Sequence, residues 1–376
     1  MIIDNFVLEK WNGKGDFCEV YLTTKKGSDK KFAAKKMKRE LFDSPNGKKY
    51  LKNEITILQN LNHPNIIKFE DIKKTKKNYY IITEFCNGGE LSKALEEYQE
   101  KYNKPFSEEI VQHLMRQIID AFKYIHGFKI IHRDIKLNNI LLHFDDEKDK
   151  ENLNMMKAKI KIIDFGFSSK LNKNGLVYST LGCPITMSPI LLKMLNSDGE
   201  KASKLGYDIK ADIWSLGAIF YEMLIGKCIF DAEDMEELVK KAEDGEYTIP
   251  TSLSKEVASF LNGMLQYNPD LRLDCEKLSK HIFLTGNIKD FHPINSKKTY
   301  KKLSTKGSKG LRNSIWPIFD DKEEINHNKI SLNKLSIFDF DDKNFNGNML
   351  PSPSQGIPGS PINQNFQELK PDQSDS

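Results

Sequence analysis

The chain has 376 residues, of which 39% are hydrophobic and 29% are charged. This length exceeds the needs of one small module, and this apolar share supports a sizeable core, so a single small module and global disorder are both excluded. The formal net charge of +4 is too small to indicate a protein whose main role is to bind nucleic acid or an anionic membrane.

Residues 6–82 have mostly the pattern of β-strands. Short runs rich in β-branched and aromatic residues, at 19–22, 32–34 and 79–82, are separated by Gly, Asn and Lys turns. One helix interrupts the strands, because leucine and isoleucine recur at spacings of three and four over residues 48–61. These patterns predict a small sheet-rich unit that contains one helix.

From residue 90 onward the pattern becomes mainly helical. Apolar residues between 110 and 125 form a long stripe, and residues 213–224 are nearly all apolar, as in a buried helix. The charged segment 143–157 is predicted to be a solvated hairpin between two strands. A basic run at 297–312 is followed by Pro, Ser, Gln and Asn, so we expect a mostly disordered tail over 292–376.

Two early motifs indicate phosphate binding. Gly13 and Gly15 lie between strand-like runs, where glycines let backbone amides approach phosphate oxygens. A dinucleotide-binding fingerprint is disfavoured, because it needs a third glycine at Cys18 and a helix directly afterwards. Lys35 lies at the end of a strand-like run and Glu54 on the predicted helix, where a carboxylate can orient a phosphate-binding lysine.

The most specific motif runs from His132 through Asp134 and Lys136 to Asn139, and an Asp-Phe-Gly sequence begins later at Asp164. Phosphoryl transfer needs a carboxylate that orients the acceptor, a cation at the moving phosphoryl group and oxygen ligands for Mg²⁺. The motif supplies all three kinds of group.

On these motifs the sequence resembles the eukaryotic protein kinase family over about residues 6–285. The resemblance implies an α+β bilobal fold, with a β-rich N-lobe over 1–84, a larger helical C-lobe over 85–291, and ATP with Mg²⁺ in the cleft. Lys136, placed two residues after Asp134, is typical of serine/threonine kinases. The segments around Asp164 and at 268–272 are most similar to autophagy-initiating ULK-type kinases and to calcium/calmodulin-dependent kinases.

The resemblance also implies a role for each matching position. Asp134 would accept the proton of the substrate hydroxyl, and Lys136 would assist at the phosphoryl group. Asn139 and Asp164 would bind Mg²⁺. Lys35 would contact the α- and β-phosphates and pair with Glu54. The remaining ATP contacts would come from the glycine-rich loop, the adenine pocket, the hinge and the ribose site: Gly13, Gly15, Val20, Ala33, Leu141, Glu84, Cys86 and Glu90.

Three positions depart from the family pattern. Cys18 replaces the third glycine. Cys183 stands where a threonine would hydrogen-bond the catalytic Asp and Lys, and a thiol is a weaker partner that could lower activity. Ile190 replaces the glutamate that normally pairs with the arginine matching Arg272. Since an unpaired buried charge would cost about 3–5 kcal/mol, we expect Arg272 to find another acceptor or to reach solvent.

Two other function classes remain open. A pseudokinase scaffold, which binds ATP or partners with little catalysis, would account for the departures, although the complete catalytic set disfavours it. A small-molecule or lipid kinase would share the ATP chemistry, but the segment at 184–189 favours a peptide acceptor.

The resemblance further implies control by phosphorylation. Arg133 could dock a phosphate on the activation segment, with Thr180 as the first candidate and Ser179 as the second, modified by an upstream kinase or by autophosphorylation. The expected partners are protein substrates and not nucleic acid. Scattered cysteines and the lack of a run of roughly 18 apolar residues indicate a protein without a transmembrane segment, in the cytoplasm or the nucleus.

Overall fold

The computed structural model describes residues 1–14, 18–179, 181–195, 206–245 and 247–294. The chain divides into two compact units: the first contains Met1–Asn60 and Lys68–Phe85, and the second contains Leu61–Ile67 and continues from Cys86. The predicted tail and its basic run fall almost entirely outside the described residues.

The first unit is built on a six-stranded sheet with the strand order β1-β2-β3-β4-β6-β5, in which neighbouring strands are antiparallel. The strands are β1 (Ile2–Ile3), β2 (Phe6–Lys14), β3 (Cys18–Lys25), β4 (Lys31–Lys38), β5 (Phe69–Lys74) and β6 (Asn78–Glu84). The three predicted strands fall within β3, β4 and β6. Two helices, α1 (Arg39–Phe42) and α2 (Pro45–Asn60), follow β4.

The predicted helix at 48–61 is α2, but it starts three residues earlier than predicted. The hydroxyl of Ser44 accepts the N–H of Gly47 at 3.1 Å, and Pro45 occupies the first helical position. Ser followed by Pro is a typical helix start, because the hydroxyl satisfies a terminal N–H and proline has none to satisfy. Apolar spacing alone could not locate this polar first turn.

One face of the sheet forms the core of the first unit. Phe32 and Ala34 on β4 pack with Tyr80 and Ile82 on β6, and all four are buried. Because side chains alternate along a strand, the residues between them, including Ala33 and Lys35, lie on the opposite face.

The second unit consists mainly of helices. They are α3 (Leu91–Tyr102), α4 (Glu108–Gly127), α5 (Glu147–Glu151), α6 (Pro189–Leu195), α7 (Lys210–Ile225), α8 (Met235–Asp244), α9 (Lys255–Met264), α10 (Cys275–Ser279) and α11 (Ile282–Thr285). Two antiparallel ribbons accompany them, β7 (Ile130–Ile131) with β10 (Ser169–Lys170), and β8 (Ile140–His143) with β9 (Lys159–Ile162). An α+β class with a small sheet unit and a larger helical unit is therefore confirmed.

The core of the second unit lies around α4 and α7. The buried stripe of α4 includes Leu114, Ile118 and Ile125, as its apolar spacing predicted. Helix α7 is buried along almost its whole length and ends at Gly226, which adopts a left-handed conformation with φ of 75°. No helix in the described part of the chain is long and apolar enough to cross a membrane.

The charged segment at 143–157 is only partly a hairpin. Its flanking strands β8 and β9 pair as expected, but the connection contains the short helix α5. Asp146 caps α5 by accepting the N–H of Lys148 at 2.8 Å. The prediction missed this helix because it is held by a cap and by charges near its ends, with no apolar periodicity to indicate it.

Candidate active site

Lys35 and Glu54 form an ion pair within the first unit. Lys35 lies on β4 and Glu54 on α2, and the distance from Nζ to Oε1 is 3.0 Å. Glu54 is only 2% exposed, whereas Lys35 is half-buried. A carboxylate this deeply buried is costly unless it is paired. The pair therefore fixes the position of the Lys35 ammonium group.

Val20 and Ala33 lie on the same face of the sheet as Lys35. Val20 is directly opposite Lys35 in the register of β3 and β4, and Ala33 precedes Lys35 by two residues. Residues that are opposite, or two apart, on adjacent strands share a face. The structure thus brings two apolar residues and the paired lysine, all predicted nucleotide contacts, onto one surface.

Four other nucleotide contacts were predicted between residues 13 and 86, and the structure describes three of them. Gly13 pairs with Val20 next to a register shift between β2 and β3, while Gly15 lies outside the described residues. Glu84 ends β6, where its N–H donates to the carbonyl of Lys68 at 3.0 Å. Cys86 is buried and belongs to the second unit.

In the second unit, Asp134, Lys136 and Asn139 meet in the loop between β7 and β8. The Nζ of Lys136 is 3.2 Å from Oδ2 of Asp134, and the Nδ2 of Asn139 donates to the same oxygen at 2.8 Å. Asn139 also donates to the Asp134 carbonyl at 2.7 Å, and its own carbonyl accepts the N–H of Ile163. Asp134 is 1% exposed. Two predicted catalytic side chains, Asp134 and Lys136, and the predicted Mg²⁺ ligand Asn139 therefore form one hydrogen-bonded unit.

Charge in this loop favours a protonated lysine. Burial alone would lower the pKa of Lys136, but the carboxylates of Asp134 and Asp164 outweigh it, and the pKa is raised above its ordinary value. Cys183 is itself buried, and desolvation raises the pKa of its thiol to about 12. Lys136 is therefore cationic at neutral pH, and the thiol beside it is neutral.

The carboxylate of Asp212, on α7, binds backbone N–H groups of this loop. Asp212 accepts the N–H of His132 at 2.9 Å and that of Arg133 at 3.0 Å. Arg133 has a φ of 71°, a left-handed conformation that is unfavourable for a residue with a side chain. These two hydrogen bonds stabilise the strained backbone immediately before Asp134.

Asp164 also adopts a left-handed backbone conformation, with a φ of 63°. It follows β9 and is half-buried, and the next residue, Phe165, is fully buried against the ring of His132 at 5.0 Å between centroids. The Asp164 carboxylate also contributes to the raised pKa of Lys136. The Asp-Phe-Gly segment is thereby held next to the loop of Asp134.

Asn139 and Asp164 fit the Mg²⁺ that the family motif implies. The described residues contain no cluster of three or more His, Cys, Asp or Glu side chains suited to a metal ion. A carboxylate and an amide oxygen are hard ligands, and Mg²⁺ is commonly bound by one or two such protein groups together with substrate phosphates and water. This donor set suits a metal that arrives with a nucleotide.

Glu90 and Leu141 are brought together in the second unit. They form an isolated antiparallel bridge, and the Glu90 carboxylate accepts the side-chain amide of Asn138 at 3.0 Å. Asn138 immediately precedes Asn139, so the predicted ribose and adenine contacts are tied directly to the loop that carries Asp134.

The activation segment contacts the loop through Arg133. The guanidinium donates to the hydroxyl of Ser179 at 2.6 Å and also to the carbonyl of Phe167. Thr180, the first predicted regulatory site, lies outside the described residues. Gly182 has a φ of 125°, and a Cβ there would lie 2.0 Å from the carbonyl oxygen of Arg133, so only glycine permits this close approach.

Arg272 is almost fully buried and finds replacement acceptors. Its guanidinium donates to the carbonyls of Gln266 at 2.6 Å, Lys210 at 2.9 Å and Tyr267 at 3.1 Å, and it lies 5.0 Å from the ring of Trp214. The expectation that Arg272 would find another acceptor in the absence of a glutamate at 190 is confirmed. Desolvation lowers the pKa of Arg272 to about 10, which leaves it charged at neutral pH.

The motifs did not predict two residues next to the site whose side chains are buried. His126 on α4 donates to Asp212 through Nε2 at 2.9 Å, and Cys275 on α10 lies 3.6 Å from its Nδ1. Burial opposes a charge on His126, but Cys275 and Asp212 together raise its pKa to about 10. Because these contacts join distant parts of the chain, no local pattern could indicate them.

Comparison with known proteins decides the family. A model of the protein kinase domain matches residues 6–284. The chain belongs to the protein kinase family. This kinase is 32% identical to the serine/threonine-protein kinase polo of Drosophila melanogaster over 73% of its length, and 30% identical to a probable serine/threonine-protein kinase of Dictyostelium discoideum over 76%. It is 28% identical to the serine/threonine-protein kinase PLK4 of Xenopus tropicalis over 88%.

The kinase spans only part of these relatives: 43% of polo, 31% of the Dictyostelium protein and 33% of PLK4. The relatives do not support the expected nearer resemblance to ULK-type or calcium/calmodulin-dependent kinases. That expectation was based on short segments, and such segments are shared widely within the family.

Proposed function

We propose that this protein transfers the γ-phosphoryl group of Mg-ATP to serine or threonine hydroxyls of protein substrates. The observation that carries the proposal is the buried unit of Asp134, Lys136 and Asn139. A protein that only binds partners has little physical need of a buried carboxylate held by two different donors. The family membership and the serine/threonine kinases among the relatives support the same activity.

The acceptor hydroxyl would be oriented by Asp134. Lys136 and Asn139 both contact Oδ2 of this carboxylate, so its rotation is restricted. A restricted carboxylate can hold the hydroxyl in line for attack and accept its proton as the bond to phosphorus forms. Lys136, which is cationic at neutral pH, would neutralise charge on the transferred phosphoryl group.

In the first unit, the proposed nucleotide contacts lie on one face of the sheet. Lys35, oriented by Glu54, would contact the α- and β-phosphates, with Val20 and Ala33 against the adenine. Asn139 and Asp164 would hold Mg²⁺, which when bound neutralises charge on the phosphate oxygens.

The relatives support a further proposal about the subfamily. Polo and PLK4 are both serine/threonine kinases, and they match this chain over most of its length. We propose that the chain is a polo-like serine/threonine kinase that acts on protein substrates. Its location in the cytoplasm or the nucleus is a proposal from the sequence alone. The matched region covers less than half of each relative, so the remainder of those proteins has no bearing on this proposal.

A pseudokinase scaffold is the second candidate, and Cys183 is the observation that favours it. The thiol is buried next to Asp134 and Lys136, where the family pattern has a threonine hydroxyl, and it is a much weaker hydrogen-bonding group. A pseudokinase would bind ATP or partners, and its phosphate transfer would not exceed that of a variant such as Asp134→Asn.

One experiment separates the two candidates and defines the acceptor. The full chain is incubated with Mg²⁺, labelled ATP and a generic basic protein, and the labelled amino acids are identified after hydrolysis. We expect phosphoserine and phosphothreonine, and a loss of at least about 100-fold in the Asp134→Asn variant. Equal labelling by wild type and variant would exclude catalysis by this site, and phosphotyrosine as the main product would exclude the proposed acceptor.

We also propose that phosphorylation controls the activation segment. The 2.6 Å contact between Arg133 and Ser179 shows that a hydroxyl of this segment already reaches the guanidinium. A phosphate at Ser179 or Thr180 would replace a neutral acceptor by a dianion and strengthen the contact. Mass spectrometry of active enzyme should find one of the two residues modified, by an upstream kinase or by autophosphorylation, and finding neither modified would refute the idea.

A further inference from the structure

A buried chain of polar contacts runs from α10 to the loop of Asp134. Cys275 Sγ lies 3.6 Å from His126 Nδ1, His126 Nε2 lies 2.9 Å from Asp212 Oδ2, and Asp212 binds two backbone N–H groups of the loop. Cys275 is 3% exposed and Asp212 is 1% exposed. Water therefore has little access to these groups, and each must be satisfied by the others.

The orientation of the His126 ring is set from both of its nitrogens. Asp212 accepts hydrogen bonds, so Nε2 carries a proton and donates it. Nδ1 then depends on Cys275: an imidazolium donates its Nδ1–H to the sulfur, and a neutral imidazole accepts the S–H. Within the described residues, Cys275 is the one hydrogen-bond partner of Nδ1. The Cys275 thiol can thus hydrogen-bond to Nδ1 in either protonation state of the His126 ring.

We infer that Cys275 is a positioning residue for phosphoryl transfer, which acts by fixing the His126 ring against Asp212. The inference rests on the proposed kinase activity. Asp212 holds the N–H of Arg133, whose left-handed backbone directly precedes Asp134. A tilt of the His126 ring weakens one of the hydrogen bonds to Asp212, and the loop then holds Asp134 less accurately. The nucleotide contacts proposed for the first unit do not involve Cys275, His126 or Asp212.

The decisive variants are Cys275→Ala, which removes the sulfur, and Cys275→Ser, which restores a group that both donates and accepts. We expect Cys275→Ala to lower kcat about tenfold, the rate equivalent of one hydrogen bond, with KM for ATP unchanged within about twofold. Cys275→Ser should return kcat to within about threefold of wild type. If Cys275→Ala lowered kcat only through lost packing, Cys275→Ser would not restore it, because serine is smaller than cysteine.

Leu278 provides a matched control on the same helix. It is fully buried in α10, its side chain makes no polar contact, and Leu278→Ala removes more packing than Cys275→Ala does. We expect Leu278→Ala to lower the Tm further than Cys275→Ala while kcat of the folded enzyme stays within about twofold of wild type. Equal losses of kcat in both alanine variants would overturn the inference in favour of packing.

A double-mutant cycle tests whether Cys275 acts through His126. In a His126→Phe background, Cys275→Ala should cost less than about twofold in kcat, because the ring nitrogen that uses the sulfur is gone. A tenfold loss in that background would contradict the inference. If His126→Phe does not fold, ¹⁵N chemical shifts of histidine-labelled wild type and Cys275→Ala decide instead, since loss of the sulfur must change the Nδ1 shift of His126.

These readouts keep the inference distinct from the activity on which it rests. Wild type that transfers no phosphate would refute the proposed function, whereas the ¹⁵N shifts would still report whether Cys275 governs the ring. Active wild type with an unaffected Cys275→Ala variant would refute the positioning role alone.

Discussion

Replacement of Arg272 by methionine should destabilise the protein, because the buried guanidinium satisfies three backbone carbonyls. These acceptors are part-buried, so each one left without this donor costs about 1–2 kcal/mol, in the lower part of the usual range. Loss of the contact with the Trp214 ring, 5.0 Å away, adds about 1 kcal/mol. These losses together amount to about 4–7 kcal/mol.

Relief of desolvation offsets part of this loss. Burial lowers the pKa of Arg272 from 12.5 to about 10. At about 1.4 kcal/mol for each pKa unit, the charged side chain carries a penalty of roughly 3 kcal/mol, which methionine avoids. The lost contacts, less the relieved desolvation, leave a net destabilisation of about 1–4 kcal/mol. We expect a value of about 2 kcal/mol.

Urea unfolding, followed by tryptophan fluorescence, measures this difference. The matched control is Lys280→Met, a change at an exposed lysine next to α10, which should alter the free energy of unfolding by less than about 0.5 kcal/mol. An Arg272→Met variant as stable as wild type would show that the three carbonyl contacts do not hold the side chain, and the reasoning would be refuted.

Further predictions concern Cys183, Lys35 and His126. Cys183→Thr supplies a stronger hydrogen-bonding group beside Asp134 and Lys136 and should raise kcat about two- to tenfold in the phosphate-transfer assay, whereas no gain would remove the proposed effect of this departure. Lys35→Met removes the cation that lies 3.0 Å from the buried Glu54 and should lower the free energy of unfolding by about 1–3 kcal/mol, less than for a fully buried pair because the lysine side chain is 23% exposed; unchanged urea unfolding would contradict this. The pKa of His126 is raised from 6.5 to about 10 on folding, so its charge stabilises the fold fully below pH 6.5 and this stability is lost as pH rises to about 10. Tm should therefore fall more steeply over that range in wild type than in His126→Phe, and equal slopes would refute the linkage.

The sequence was informative wherever function depends on residues that are close together in the chain. Asp134, Lys136 and Asn139 lie in one loop, so their spacing was sufficient to predict a common site, and the structure places them in hydrogen-bond contact. The apolar periodicity of α2 and α7 likewise predicted both helices, although it placed their polar first turns too late.

The family motifs predicted the pair of Lys35 and Glu54, but other contacts between distant segments could not be predicted in the same way. His126 meets Asp212 and Cys275 only because α4, α7 and α10 pack together, and a histidine on an apolar helix gives no local sign of its partners. The acceptors of Arg272 are backbone carbonyls, which every residue possesses, so no side-chain pattern could identify them. The sequence predicted that the Arg272 guanidinium needs an acceptor, but not which atoms supply it.

The central claim is tested most directly by phosphate transfer in the Asp164→Asn variant. The full chain, Asp164→Asn and the control Asp145→Asn, which changes an exposed aspartate of the β8–β9 connection, are compared with labelled ATP, Mg²⁺ and a basic protein substrate. Loss of a Mg²⁺ ligand should reduce incorporation at least about 100-fold, while the control stays within about twofold of wild type. Equal phosphate incorporation by wild type and Asp164→Asn would contradict the proposed phosphoryl transfer.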